Sequence, residues 1–436
     1  MDWMTHWRRA HAWRDHHMYA GRAFRAPAIC FLAVTLGALN PASAATLTLA
    51  AAEARLARSN PALAASEQRI HALDKRADAA TRLPDPKVSL DAVNLPSNSF
   101  SLTQQGMTML SFGISQEFPP IGKLGLQGRE LHIQATGLRY ARQESRADLV
   151  FQLRRAWFDA VYVLKAESVV REQQALAQAN ERFALAAYRS ARGSQGDVLQ
   201  ARFESGQLHN DLDVLIADES AARARIAAIL GGTQLPDIVP QWPELARIDV
   251  NAETGLAQQP LLQQARAKVQ EAEIGVQLAK KEYEPSISVG ASYGKSFVPG
   301  SPNFVSAGIS FSVPLFAERR IADDVDAAGA RVMEARFALQ DQRQALIRDI
   351  RSTSARQASM QDRWSRESTH LLPLARERLR ATLAAYTSAQ ASLGDVIAAQ
   401  QSVFTTEMQA LRDRRDLLVA QAQLDNLTTR VTEQQP

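Results

Sequence analysis

Few residues of this chain are of types that do chemistry, and their spacing argues against a catalytic centre. Beyond residue 44 the histidines are His71, His132, His209 and His370, scattered through segments that read as helices. No HExxH, phosphate-loop or GxSxG pattern surrounds them. The single cysteine, Cys30, lies in an apolar N-terminal run, so nothing after it is a thiol nucleophile or a disulfide partner. Asp323, Asp324 and Asp326 stand near the start of a long helical stretch, where carboxylates favour the helix dipole and read as structure. Met107 and Met109 alternate on a strand-like segment and carry soft thioethers of the kind Cu(I) or Ag(I) accepts. Two strand methionines are not a site, and no metal ligand or cofactor is assigned. What does recur is a polar constellation. Tyr188, Ser194, Gly196 and Asp197-Val198 are matched by Tyr386, Ser392, Gly394 and Asp395-Val396. The thirteen residues from Ala187 and the thirteen from Ala385 agree at eight positions. Such a set offers hydrogen bonds and charge rather than bond making.

That repeat extends along the chain. Asn60-Pro61 is matched by Gln259-Pro260, Asp85-Pro86 by Glu284-Pro285, and Gly113-Ile114-Ser115 by Gly308-Ile309-Ser310. A period near 200 residues is too long for a solenoid and describes two copies of one large unit. We place them at 45–245 and 246–430, with a short tail at 431–436. Each copy reads helix, hairpin, very long helix, turn, helix, with hairpins at 86–118 and 285–314 and turns at 189–197 and 387–395. From Ile121 to about Arg192 no proline occurs, and seventy helical residues would span roughly 105 Å. The second copy repeats this from Phe316 to about Ala391, with Pro373 expected to kink it. Gly196 and Gly394 are expected to supply the tight turns. Helices of that length and composition need neighbours as coiled-coil partners.

Composition agrees: aromatics are only 6% of the chain, which suits long helices better than a compact globule. The net charge is +4, and five Arg against two Asp in the first 44 residues supply +3 of it. The remainder is near neutral, without a basic patch that argues for nucleic acid. Residues 1–44 read as a secretory signal: Arg22 and Arg25, an apolar run from Ala26 to Leu39, and Ala42-Ser43-Ala44 as the cleavage site. Translation could start at Met1 or Met18. Cys30 lies within the apolar run rather than at its end, so no lipid anchor is expected.

After Ala45 no apolar stretch is long enough for a transmembrane helix, so a membrane span would require a closed β-barrel. Four segments alternate as barrel strands do. Val88, Leu90 and Ala92 oppose Ser89 and Asp91; Leu110, Phe112, Ile114 and Phe118 oppose Ser111, Gly113, Ser115 and Glu117. Ile287, Val289, Ala291 and Tyr293 oppose a row of Ser and Gly, as do Val305, Ala307, Ile309, Phe311 and Val313. Apolar against small polar is the pattern of strands between lipid and an aqueous lumen. Four strands do not close a barrel alone. Three copies give twelve, within the bacterial range, although two or four copies would also close.

The two tandem copies, paired hairpins, ~100 Å helices and twice-present Tyr-x8-Asp-Val turn resemble the TolC-type outer-membrane factor family. The resemblance runs from about Leu47 to Leu427. It implies a mixed α/β membrane protein. A twelve-stranded transmembrane β-barrel, completed by homotrimerisation, would join a periplasmic α-helical coiled-coil barrel. It implies an efflux exit duct in the bacterial outer membrane, not an enzyme. The partners it implies are outer-membrane lipid, a periplasmic adaptor and an inner-membrane transporter taken as proton-driven. Leu83-Pro84-Asp85-Pro86, Asn94-Leu95-Pro96 and Gln116-Glu117-Phe118-Pro119 are similar to the heavy-metal cation branch. By the same resemblance, Tyr188, Ser194, Gly196, Ser392 and Gly394 belong to the adaptor-docking tip. Asp395 falls at an acidic constriction, and Tyr386 and Asp197 where a helix-to-helix hydrogen bond holds it shut. Family members usually carry Gly where Ala191 and Ala389 stand, and a basic residue where Ala391 stands. The competing reading is a periplasmic coiled-coil adaptor that spans no membrane, which leaves the four alternating strands unexplained.

Overall fold

The computed structural model describes residues 47–232, 237–244, 256–314 and 316–429; the leader expected at 1–44 and the tail at 431–436 lie outside them. Among the described residues, eight α-helices and four strands follow in the order α1 (Leu49–Ser59), α2 (Pro61–Ala80), β1 (Lys87–Val93), β2 (Met109–Phe118), α3 (Lys123–Arg189), α4 (Gln195–Ile229), α5 (Pro260–Lys281), β3 (Ser286–Ser296), β4 (Phe304–Ser312), α6 (Glu318–Arg366), α7 (Leu372–Thr387) and α8 (Leu393–Thr428). Two of the helix starts show why the sequence restarts where it does. Asn60 accepts from the backbone N–H of Ala62 and Leu63, and Pro61 sits in the first turn, where its missing N–H costs nothing. Gln259 and Pro260 open α5 at the equivalent place in the second copy, without a side-chain cap.

At 67 residues, α3 is about 100 Å long. Its neighbours are α1, α2, α4, α5 and α8, while α8 also packs against α6 and α7. The seams keep a seven-residue period. Leu63, Ile70 and Ala77 are buried on α2; Val163, Val170, Ala177 and Ala184 on α3; Ala201, Leu208, Leu215 and Ala222 on α4. A strict heptad on straight helices imposes the slight left-handed supercoil of a coiled coil.

One stretch departs from the stripe pattern. From Ala156 to Val163 every α3 side chain except Asp159 is buried. Here α1 and residues 237–244 cover the face that is open elsewhere. Leu49, Leu56 and Ile238 join Leu153, Phe158, Ile226 and Leu418 in one core, with Trp242 against it. A short parallel bridge from Leu47 to Ile238 ties the wrapping segments together, with the Leu47 N–H donating to the Asp237 carbonyl at 2.9 Å. Arg154 clamps the same level by pairing with Glu53 of α1 at 2.6 Å and with Asp425 of α8.

The second long helix is interrupted, as Pro373 predicts, but the interruption precedes the proline. Residues Glu367–Leu371 widen into a single π-helical turn, and the Leu372 N–H donates to the Glu367 carbonyl five residues back. The wider turn accommodates a residue that cannot donate and whose ring would strike the preceding carbonyl. On the α6 side of the bulge, Arg363 pairs with Asp413 of α8 at 2.7 Å and Trp364 stacks on Arg414. Beyond it, α7 buries no residue.

Candidate functional site: the four-stranded sheet and the helical tip

The two hairpins form one antiparallel sheet in the order β1-β2-β3-β4, so the copies are joined through β2 and β3. The register aligns like with like. Leu90 lies opposite Phe112, which lies opposite Tyr293, which lies opposite Val305; Val88, Ile114, Ala291 and Ala307 form the next row. A slip of one residue in any pair would move an apolar row to the other face. This face is uncovered: Leu90 is 67% exposed, Ile309 64% and Val305 80%. Two polar residues share it. Gln116 donates to the carbonyls of Pro84 and Glu117, both at 2.9 Å, and Lys295, at the far end, lies 5.7 Å from the Phe297 ring centre. The opposite face is a shallow groove lined by Ser89, Asp91, Ser111, Ser288, Ser292, Ser306 and Ser310, with glycines between them. The outer edges of β1 and β4 have no strand partner among the described residues.

At the loop end, Thr108 is buried and donates to the Asn94 carbonyl at 2.8 Å, and Asn94 donates to the Met107 carbonyl at 3.1 Å. Met109 lies against Gly294, where a Cβ would collide with its sulfur, while Met107 is exposed. No group of three or more His, Cys, Asp or Glu side chains that could hold a metal ion occurs among the described residues. His71, His132, His209 and His370 all lie at exposed positions. At the other end of the sheet, Glu117, Pro119, Pro120, Lys123, Glu282 and Arg320 line a cleft continuous with the Ser/Gly face. Its charges are largely paired: Lys87 with Glu117 at 3.5 Å and Lys123 with Glu282 at 2.6 Å.

The distal tip is built twice by the same hydrogen bonds. After α3, the Arg192 N–H reaches back to the Ala187 carbonyl at 2.9 Å and Ala191 to Tyr188 at 3.0 Å. After α7, Gln390 reaches Ala385 at 2.8 Å and Ala389 reaches Tyr386 at 3.0 Å. This closure requires a left-handed residue just past the helix end. Ala191 and Ala389 occupy it, with φ of 57° and 58°. The expectation that Gly196 and Gly394 supply the turn is therefore corrected. Both lie in the first turn of the following helix, where an added Cβ would meet only their own cap serine, at 3.4 and 3.5 Å. Ser194 and Ser392 are those caps, each in a reciprocal box with the aspartate three residues on. The Ser194 N–H donates to Asp197 at 3.0 Å, and the Ser392 N–H and hydroxyl donate to Asp395 at 2.8 and 2.7 Å. The Ser392 hydroxyl, then its backbone N–H, hold the Asp395 carboxyl below the ordinary carboxylate range.

The expected hydrogen bond between Tyr386 and Asp197 is absent within the chain. Asp197 is engaged by its cap, and the Tyr386 ring packs edge-on against Phe183 of α3 at 5.9 Å. Asn180 of α3 donates to Gln400 of α8 at 2.7 Å, a second tie between the hairpins. Sequence reasoning missed the Phe183–Tyr386 contact, because it depends on how α3 and α7 meet across copies.

An open four-stranded sheet with an uncovered apolar face, set on helices of ~100 Å, is the TolC-type fold. Solved structures share it over nearly the full length. A membrane protein from Pseudomonas aeruginosa superposes with a TM-score of 0.77 at 16% identity, covering 87% of this chain and 93% of the other. The Campylobacter jejuni CmeC outer membrane channel gives 0.74 at 14% identity, covering 87% and 85%. The open state of the Neisseria gonorrhoeae MtrE outer membrane channel gives 0.74 at 16% identity, covering 87% and 88%. Residues 252–430, essentially the second copy, match the outer membrane efflux protein family. No curated protein matches the chain.

Proposed function

We propose that the chain is the exit duct of a tripartite efflux pump, working as a homotrimer in the bacterial outer membrane and reaching into the periplasm. The observation that carries this reading is the sheet: four strands, two bare edges and an apolar face open along its whole length. Bare edges invite pairing, and in a bilayer every backbone group needs a partner, so β4 of one copy must meet β1 of the next. Three copies make a twelve-stranded barrel with the apolar rows outward and the Ser/Gly rows inward. No described helix is long and apolar enough to cross a membrane, which leaves the strands to do so.

The other parts of the reading follow from this placement. Export is by the cleaved leader, and the tips of α3–α4 and α7–α8 face the adaptor, behind which stands a proton-driven inner-membrane transporter. Tyr386, Asp197 and Asp395 act at the closure of that end, with heavy-metal cations as the substrate class. A periplasmic adaptor gives no use for an exposed apolar sheet. Native mass spectrometry in detergent, with conductance in planar bilayers, tests the proposal: a trimer that conducts is expected. A stable, non-conducting monomer extracted by salt would overturn it.

A further inference from the structure

On the Ser/Gly face of the sheet only Lys87, Asp91 and Glu117 are ionisable. Lys87 and Glu117 pair with each other at 3.5 Å, which leaves Asp91. It is exposed, lies opposite Ser111 on β2, and its side chain makes no ion pair or hydrogen bond within the chain. The strand that a second copy would lay against β1 is β4, whose inward residues are Phe304, Ser306, Gly308, Ser310 and Ser312. No countercharge reaches Asp91 from either side.

We propose that Asp91 sets the ion preference of the barrel. One uncompensated carboxylate per copy forms a ring that favours cations and disfavours anions, independently of the acidic residues at the helical tip. The proposal rests on the channel reading above. Between Met109 and Phe304 at the loop end and the Lys87–Glu117 pair at the other, the lining is Ser and Gly and offers no competing net charge, so the field of the ring reaches the permeating ion. An inward charge on an edge strand also guards against wrong pairing, and the test must separate the two roles. A guard works only from the edge, whereas a selectivity charge works equally from β3. Ser292, which lines the same groove, provides that position.

The experiment uses the full-length protein in planar bilayers under KCl gradients, with Asp395→Asn present throughout to remove the field of the tip. At 0.1 M salt, where charges act over about 10 Å, Asp91→Asn should lower the K⁺/Cl⁻ permeability ratio at least about twofold. Asp91→Lys should bring the ratio below unity, and Asp91→Asn with Ser292→Asp should restore it. At 1 M the differences should shrink, because screening cuts the reach to about 3 Å. Ratios unchanged in both single variants, or no recovery with Ser292→Asp, would overturn the proposal while leaving the channel intact. A protein that conducts in no variant would remove the channel reading itself, and Asp91 with it.

Discussion

Replacing Ile309 by arginine probes the orientation of the whole sheet. Ile309 pairs with Val289 on the exposed apolar face, two residues from Ala307, which pairs with Ala291 at the midpoint of β3. At about 3.4 Å per residue, two residues are ~7 Å along the strand. A tilt near 40° turns that into ~5 Å of depth, inside the half-height of ~12 Å of an outer-membrane apolar band. An arginine there should cost about 2–3 kcal/mol per protomer. Phe311 lies four residues from the midpoint, ~10 Å in depth, so Phe311→Arg should cost nearer 1 kcal/mol. Ser310, between them, points to the other face, where nothing lies within 4 Å of a Cβ at neighbouring Gly308. Ser310→Arg should therefore stay below about 1 kcal/mol. Urea unfolding of the trimer in lipid vesicles, with heat dissociation on gels as a second measure, reads all three variants. Equal damage at Ile309 and Ser310 would refute the facing, and a Phe311 cost matching that of Ile309 would refute the depth.

Glycine at Ala191 and Ala389 should stabilise the tip. Relief of the left-handed conformation is worth about 1–2 kcal/mol against ~0.4–1 kcal/mol of added chain entropy, so slower amide exchange at the starts of α4 and α8 is expected, and faster exchange would contradict it. Gly196→Leu or Gly394→Leu has room in the fold, so the trimer should persist in the membrane while export falls; full export would place docking elsewhere. Tyr386→Phe with Asp197→Ala should raise bilayer conductance, and Asp395→Asn should weaken cation selectivity and block by multivalent cations. Wild-type behaviour in both would leave these residues only their packing and capping roles. Because the Asp395 carboxyl is held below its ordinary value, its cap stabilises above the unfolded pKa near 3.9 and is lost as pH falls through the lower folded one. Exchange at the start of α8 should thus show no cap loss between pH 7 and 5, then a rise in acid that Asp395→Asn abolishes. A cap lost near neutrality would refute the assignment.

The features legible in the sequence are those whose signal is periodic. A proline-free run announced α3, and strict alternation announced both faces of all four strands, because a period of two survives in any register that buries or exposes one face. What escaped was set by contacts between distant segments. Nothing local marks residues 156–163 as buried on nearly every side; the cover comes from α1 and residues 237–244, brought there by the fold. The turns are the more instructive miss. Composition points to Gly196 and Gly394 as the flexible residues, since glycine tolerates positive φ without strain. Yet the position of the left-handed residue is counted from the helix end, through hydrogen bonds back to Ala187 and Ala385. The helix end is fixed in turn by the seam, which on α3 makes its last buried contact at Ala184 against Val198 and Ala201. Ten residues beyond Ala184, the cap serine Ser194 starts the return helix, so the strained position falls on whatever residue the count reaches. Here it reaches alanine in both copies, and the reciprocal Ser–Asp boxes hold each turn closed at that cost.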